Sequence, residues 1–98
     1  MTDRSRAFID SLGAASPPSG TPRLAVAIWH GLRGEWQAAH DIAEADHTRD
    51  GSWVHAWLHR IEGDLSNAGY WYRLANKPKA SDSTRDEGER IARALLAG

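Results

Sequence analysis

Residues 53–75 read WVHAWLHRIEGDLSNAGYWYRLA. The stretch holds three of the five tryptophans, two of the five histidines and both tyrosines. Trp53, Trp57 and Ile61 recur at helical spacing, with Val54 and Leu58 beside them, and Gly63-Asp64 follows. Glycine supplies the left-handed residue that helix ends favour, and aspartate caps the next helix through the amide of Asn67. A second apolar stripe then starts at Leu65 and continues through Ala68, Tyr72 and Ala75, widened by Trp71. Two helices folded back on one turn are the consequence.

The flanks extend the same pattern. Thr21-Pro22 predicts a helix start, Leu24, Ile28 and Leu32 give its apolar face, and Gly34 its end. Trp36, Ala39 and Ala43 form the stripe of a third helix over about 35–46, with His40 on the same side. The run His47–Gly51 reads as a loop and Ser52 as the cap of the helix through Trp53. Asn76-Lys77-Pro78 stops the following helix. Thr84 with Glu87 reads as a capping box for a last one bearing Ile91, Ala94 and Leu95. Residues 1–12 predict a short leading helix, with Ala7, Phe8 and Leu12 on one face and Asp3 or Ser5 as its cap. Gly13–Pro22, with three prolines and two glycines, separates that arm (1–20) from the body (21–98). No segment alternates as a half-buried strand does. The fold class is all-α, a compact array of five to six helices in antiparallel hairpins.

An internal repeat supports this. An offset of 29 residues lays WHGLRGEWQAAHDIAEA on LHRIEGDLSNAGYWYRL, matching His30 to His59, Gly34 to Gly63, Glu35 to Asp64 and Ala39 to Ala68. The pattern resembles tetratricopeptide and Sel1-like repeats, whose turn also reads glycine, acid, bulky apolar, two variable residues, alanine. It departs from them in having two units and a period shorter than the usual value of about 34 residues. The resemblance covers roughly residues 22–78 and implies stacked hairpins capped by the first and last helices. From His55 to Arg73 the chain also resembles a family of small bacterial and fungal proteins with the signature His-x-x-x-His-Arg-x-Glu-Gly-Asp-x-x-Asn-Ala-x-Tyr-Trp-Tyr/Phe-Arg. There a further histidine recurs on the preceding helix, and His40 is the corresponding residue. The resemblance implies which side chains matter and carries no activity with it.

Composition narrows the classes. Twelve Lys plus Arg balance thirteen Asp plus Glu, which leaves no electrostatic footprint for nucleic acid. The absence of cysteine removes disulfides and thiolate chemistry, and fits a cytoplasmic setting. No apolar run is long enough to span a bilayer, and the N-terminus lacks a signal-peptide core. Gly-rich phosphate loops and nucleophile elbows are missing.

Two chemistries remain, beside a purely structural one. In the leading reading, a small-ligand or peptide binding module, His40, His55, His59, Arg60, Glu62, Asn67, Tyr70, Trp71 and Arg73 line a polar pocket. Arginine forks there would meet a small anionic ligand and tryptophan faces an aromatic one. In the second, a small metal-dependent, hydrolase-like enzyme, His40, His55 and His59 hold a divalent metal, zinc or iron, with Glu62 as ligand or general base. Imidazoles one turn apart on a helix are a common ligand pair. In the third, an adaptor without a ligand site, Arg60 pairs with Asp64 and Arg73 with Glu62 or Asp64 to brace the turn. Trp29, Trp53 and Trp57 are expected in the core, and Trp36 and Trp71 at a pocket wall or a homodimer interface.

Overall fold

The computed structural model describes residues 3–97, with the side chain of Asp3 lying outside the described residues. The Asp3 cap therefore falls outside the description as well. Six α-helices run in order, with no strand among the described residues: α1 (Asp3–Asp10), α2 (Arg23–Leu32), α3 (Trp36–Glu44), α4 (Arg49–Ile61), α5 (Leu65–Ala75) and α6 (Thr84–Leu96). A 3-10 turn, Ser11–Gly13, extends α1.

Helix α4 is the hub and packs on α2, α3, α5 and α6. Its sequence explains why. Trp53, Val54, Ala56, Trp57 and Leu58 point to more than one side of the helix, and all five are buried. A helix that is apolar around most of its circumference must be surrounded. His55 and His59 occupy the remaining inward positions, 5% and 7% exposed. Trp57 is wedged between α2 and α6. A Cβ built on Gly31 or on Gly88 would stand 2.5 Å from its ring, so both helices approach as only glycine permits.

The two turns related by the 29-residue offset share one backbone geometry. Gly34 and Gly63 adopt φ of 81° and 85°. The amide of Glu35 donates to the His30 carbonyl at 2.9 Å, and that of Asp64 to the His59 carbonyl at 3.0 Å. Asp64 caps α5 by accepting from the Asn67 amide, as the sequence predicts. The expected all-α array of five to six helices is the fold observed.

Several boundaries differ from expectation. The cap of α4 is Thr48 rather than Ser52, because Asp46 accepts from both the amide and the hydroxyl of Thr48 and so fixes it one turn earlier. Thr21 bonds the Pro18 carbonyl instead of capping α2, which begins at Arg23 after Pro22. Ser83, not Thr84, caps α6. Ser5 lies inside α1 and is buried, so it is not the cap of that helix. Ala94 is exposed, and Ala92 and Leu96 join Ile91 in the core instead. Leu65 is 65% exposed because α6 packs on α2 and α4 and leaves the start of α5 open.

The leading helix is docked on the body. Phe8 is 1% exposed in the core, Arg4 donates to the Leu96 carbonyl, and the Trp29 indole donates to the Ser11 hydroxyl at 3.0 Å. Arg33 reaches back to the carbonyls of Leu12 and Ala14. No helix among the described residues is long and apolar enough to cross a membrane.

Candidate metal centre

Three imidazoles meet where α3 crosses α4. His55 and His59 stand one turn apart on α4 with their rings stacked at 4.8 Å. His40 of α3 comes edge-on to both, at centroid distances of 4.7 Å and 5.7 Å. Its Nε2 lies 3.1 Å from Nε2 of His55. One candidate ligand atom from each ring lies within 4.8 Å of the other two. The nitrogens of a tetrahedral zinc site are separated by about 3.3 Å, given bonds of about 2.0–2.1 Å. Nε2 of His40 and Nε2 of His55, 3.1 Å apart, already have about that spacing.

Local packing holds the rings there. Trp36, one turn before His40, stacks on it at 4.7 Å and donates its indole N–H to the Leu58 carbonyl at 2.7 Å. That bond ties α3 to α4 beside the cluster. On the other side Trp71 of α5 stacks on His55 at 3.9 Å and 10°. Trp29, Trp53 and Trp57 are core, as the spacing predicted, while Trp36 and Trp71 are half-buried and of these two only Trp71 lines a cleft.

Outside the cluster, a carboxylate bonds Nδ1 of His59 and another stands off Nδ1 of His40. Glu62 Oε1 lies 2.6 Å from Nδ1 of His59, which orients a proton on Nδ1 and leaves Nε2 as a lone pair. Glu44, one turn after His40, stands 3.8 Å from His40 Nδ1. That is too long for a hydrogen bond, and His40 Nδ1 is a buried atom without a hydrogen-bond partner. The spacing of four that made His55 and His59 conspicuous also relates His40 to Glu44, and is the signal by which Glu44 is found in the sequence. Asn67 directs its carboxamide nitrogen to within 3.4 Å of His59 Nε2.

The other predicted site residues are not brought together with these. Arg60 faces α6, where it pairs with Glu87 and Asp82 and donates to the Asp82 carbonyl. It does not pair with Asp64. Tyr70 is 48% exposed and meets Trp71 edge-on, while Arg73 is exposed beside a shallow depression that none of the histidines lines. Glu62 braces His59 and groups with Asp64 rather than with the other two rings. His30, the repeat counterpart of His59, bonds Glu35 at 2.9 Å and lies outside the cluster.

Burial, with the neighbouring charges of His40 and His59, lowers the His55 pKa to about 4. A histidine held neutral when folded adds nothing to pH dependence above the unfolded value of about 6.5, where both states are neutral. Between there and about 4 the unfolded chain takes up a proton that the folded one refuses. In chelator-treated protein this term should remove about 3 kcal/mol of stability across that window. Urea unfolding at pH 7 and pH 4.5 measures it. His55→Gln should flatten the profile, whereas an unchanged slope would place the titration elsewhere.

No protein-family model, curated protein or solved structure matches this chain.

Proposed function

We propose that the protein binds one divalent transition-metal ion, zinc foremost, through Nε2 of His40, His55 and His59. The observation that carries this reading is the convergence of three imidazoles from two helices, with His40 and His55 nitrogens 3.1 Å apart. In the metal-free chain that spacing is an imidazole–imidazole hydrogen bond, and a metal ion would take the place of the shared proton. Here His59 gives its Nδ1 to Glu62, which supports a metal-directed Nε2. The depressed basicity of His55 also favours it, because a ligand must be neutral to bind.

Three protein ligands leave a coordination position for water or a substrate atom, as in catalytic rather than structural zinc sites. A water bound there would be acidified towards neutral pH and could act as a nucleophile. Glu62 is then a positioning residue for His59, and Asn67 lies beside the centre, next to His59. This reading joins the ligand-binding and metal-dependent alternatives in one site and leaves Arg60 to the architecture.

Zinc titration by calorimetry, with elemental analysis of tag-free protein, tests the proposal. One zinc per chain is expected. Glu62→Gln should weaken binding about 10- to 100-fold, and His59→Ala by more than that. His30→Ala should bind as the parent does. Binding that survives His40→Ala and His59→Ala together, or no binding at all, would overturn the reading.

A further inference from the structure

The second feature of the site is a cleft of about 390 Å³ that shares His55 with the cluster. Its volume falls within the range of small-molecule sites. Ala43, Trp71 and Leu74 give it an apolar lining, and the stacked His55–Trp71 pair borders it. The opposite chemistry comes from Glu44 and Asp46. The Asp46 carboxylate is fixed by two bonds from Thr48, at 2.9 Å and 2.5 Å, so its charge is already ordered. No lysine or arginine lines the cleft, and its remaining imidazole, His47, is on an exposed residue. The anionic ligand expected from Arg60 and Arg73 would meet two carboxylates here and neither arginine.

We infer that this cleft receives a small organic cation, an ammonium group carried on an apolar or aromatic body. The ordered Asp46 carboxylate, with the exposed Glu44 carboxylate beside it, attracts the charged end and disfavours carboxylates and phosphates. Trp71, Leu74 and Ala43 take the apolar end out of water. Because His55 belongs to both features, the ligand lies next to the proposed metal centre. The inference rests on the metal reading only for that adjacency, since the cleft exists in the protein chain alone.

Benzylammonium, benzyl alcohol and benzoate make a matched probe set of nearly equal size. Each is titrated into the full chain, zinc-loaded and chelator-treated, with binding read from the Trp71 indole resonance by NMR. Benzylammonium should bind about tenfold tighter than benzyl alcohol in the chelated protein, with benzoate weakest. Leu74 is 48% exposed, so Leu74→Arg should leave the fold intact by circular dichroism. That variant should abolish the ammonium preference. Ammonium preference in a protein that binds no zinc upholds the cleft and sinks the metal reading. Benzoate favoured in the zinc-loaded form with no ammonium preference in the chelated form does the reverse. Equal affinities for all three probes, no binding of any, or a preference that survives Leu74→Arg overturns the inference.

Discussion

Arg60→Met should destabilise the protein by about 3–5 kcal/mol, a large part of the about 5–15 kcal/mol that holds a domain together. The reason lies where α4 packs on α6. Glu87 is 0% exposed, and its two oxygens accept from Arg60 Nη1 at 2.8 Å and from the Tyr72 hydroxyl at 2.5 Å. Burial, and then the bond to Glu87, push the Tyr72 phenol well above its ordinary range, so it stays protonated and remains a donor. Removing the guanidinium leaves a buried carboxylate with one neutral donor. Desolvation that the ion pair offset is then uncompensated. Arg60→Met with Glu87→Met should recover part of the loss, because matched apolar groups replace the ion pair at little cost while the buried Tyr72 hydroxyl loses its acceptor. Urea denaturation of the two variants gives both numbers. A loss under 1 kcal/mol for the single variant would mean that the pair behaves as a surface bridge.

Trp57→Ala should cost a similar amount, about 3–5 kcal/mol, for a different reason. Its side chain is fully buried and its indole N–H donates to the Thr84 carbonyl at 2.7 Å. The glycines facing it on α2 and α6 have no side chains with which to refill the space. Truncation therefore leaves a cavity, and it also leaves Thr84 without that donor. Trp57→Phe keeps most of the volume and should fall between parent and alanine. The midpoint of chemical unfolding orders the three. If alanine and phenylalanine match, the wedge is not what joins α2 to α6.

The first of these sites also marks where the sequence stopped being legible. Local patterns carried the hairpin well. Gly63-Asp64 gave the turn, Trp53 and Trp57 the core face, and the His55–His59 spacing a shared side. His40 was reachable because Trp36 and Ala43 set the face of its helix. Arg60 was not readable, since Asp64 stands four residues away and Glu87 twenty-seven. Short-range pairing looked sufficient, yet burial beneath α6 selected the distant acid. The same burial drew Glu87 out of the capping box assigned to it, and Ser83 capped α6 in place of Thr84. The α4 cap moved from Ser52 to Thr48 because the Asp46 side chain organises that turn, a contact with no periodic signature. The cleft is assembled from α3, α4, α5 and one connection, so only the packed fold sets the sequence neighbours Glu44 and Asp46 beside Trp71 and Leu74.

The metal centre is the claim on which the functional account turns, and the imidazole nitrogens report on it directly. Long-range proton–nitrogen NMR of uniformly labelled, tag-free protein resolves Nδ1 from Nε2 on each ring. With one equivalent of zinc, Nε2 of His40, His55 and His59 should shift together to metal-bound positions. Nδ1 of His59 should stay protonated towards Glu62, and His30 and His47 should not move. Three unmoved Nε2 signals, or a zinc response confined to His47 and surface carboxylates, would contradict the account.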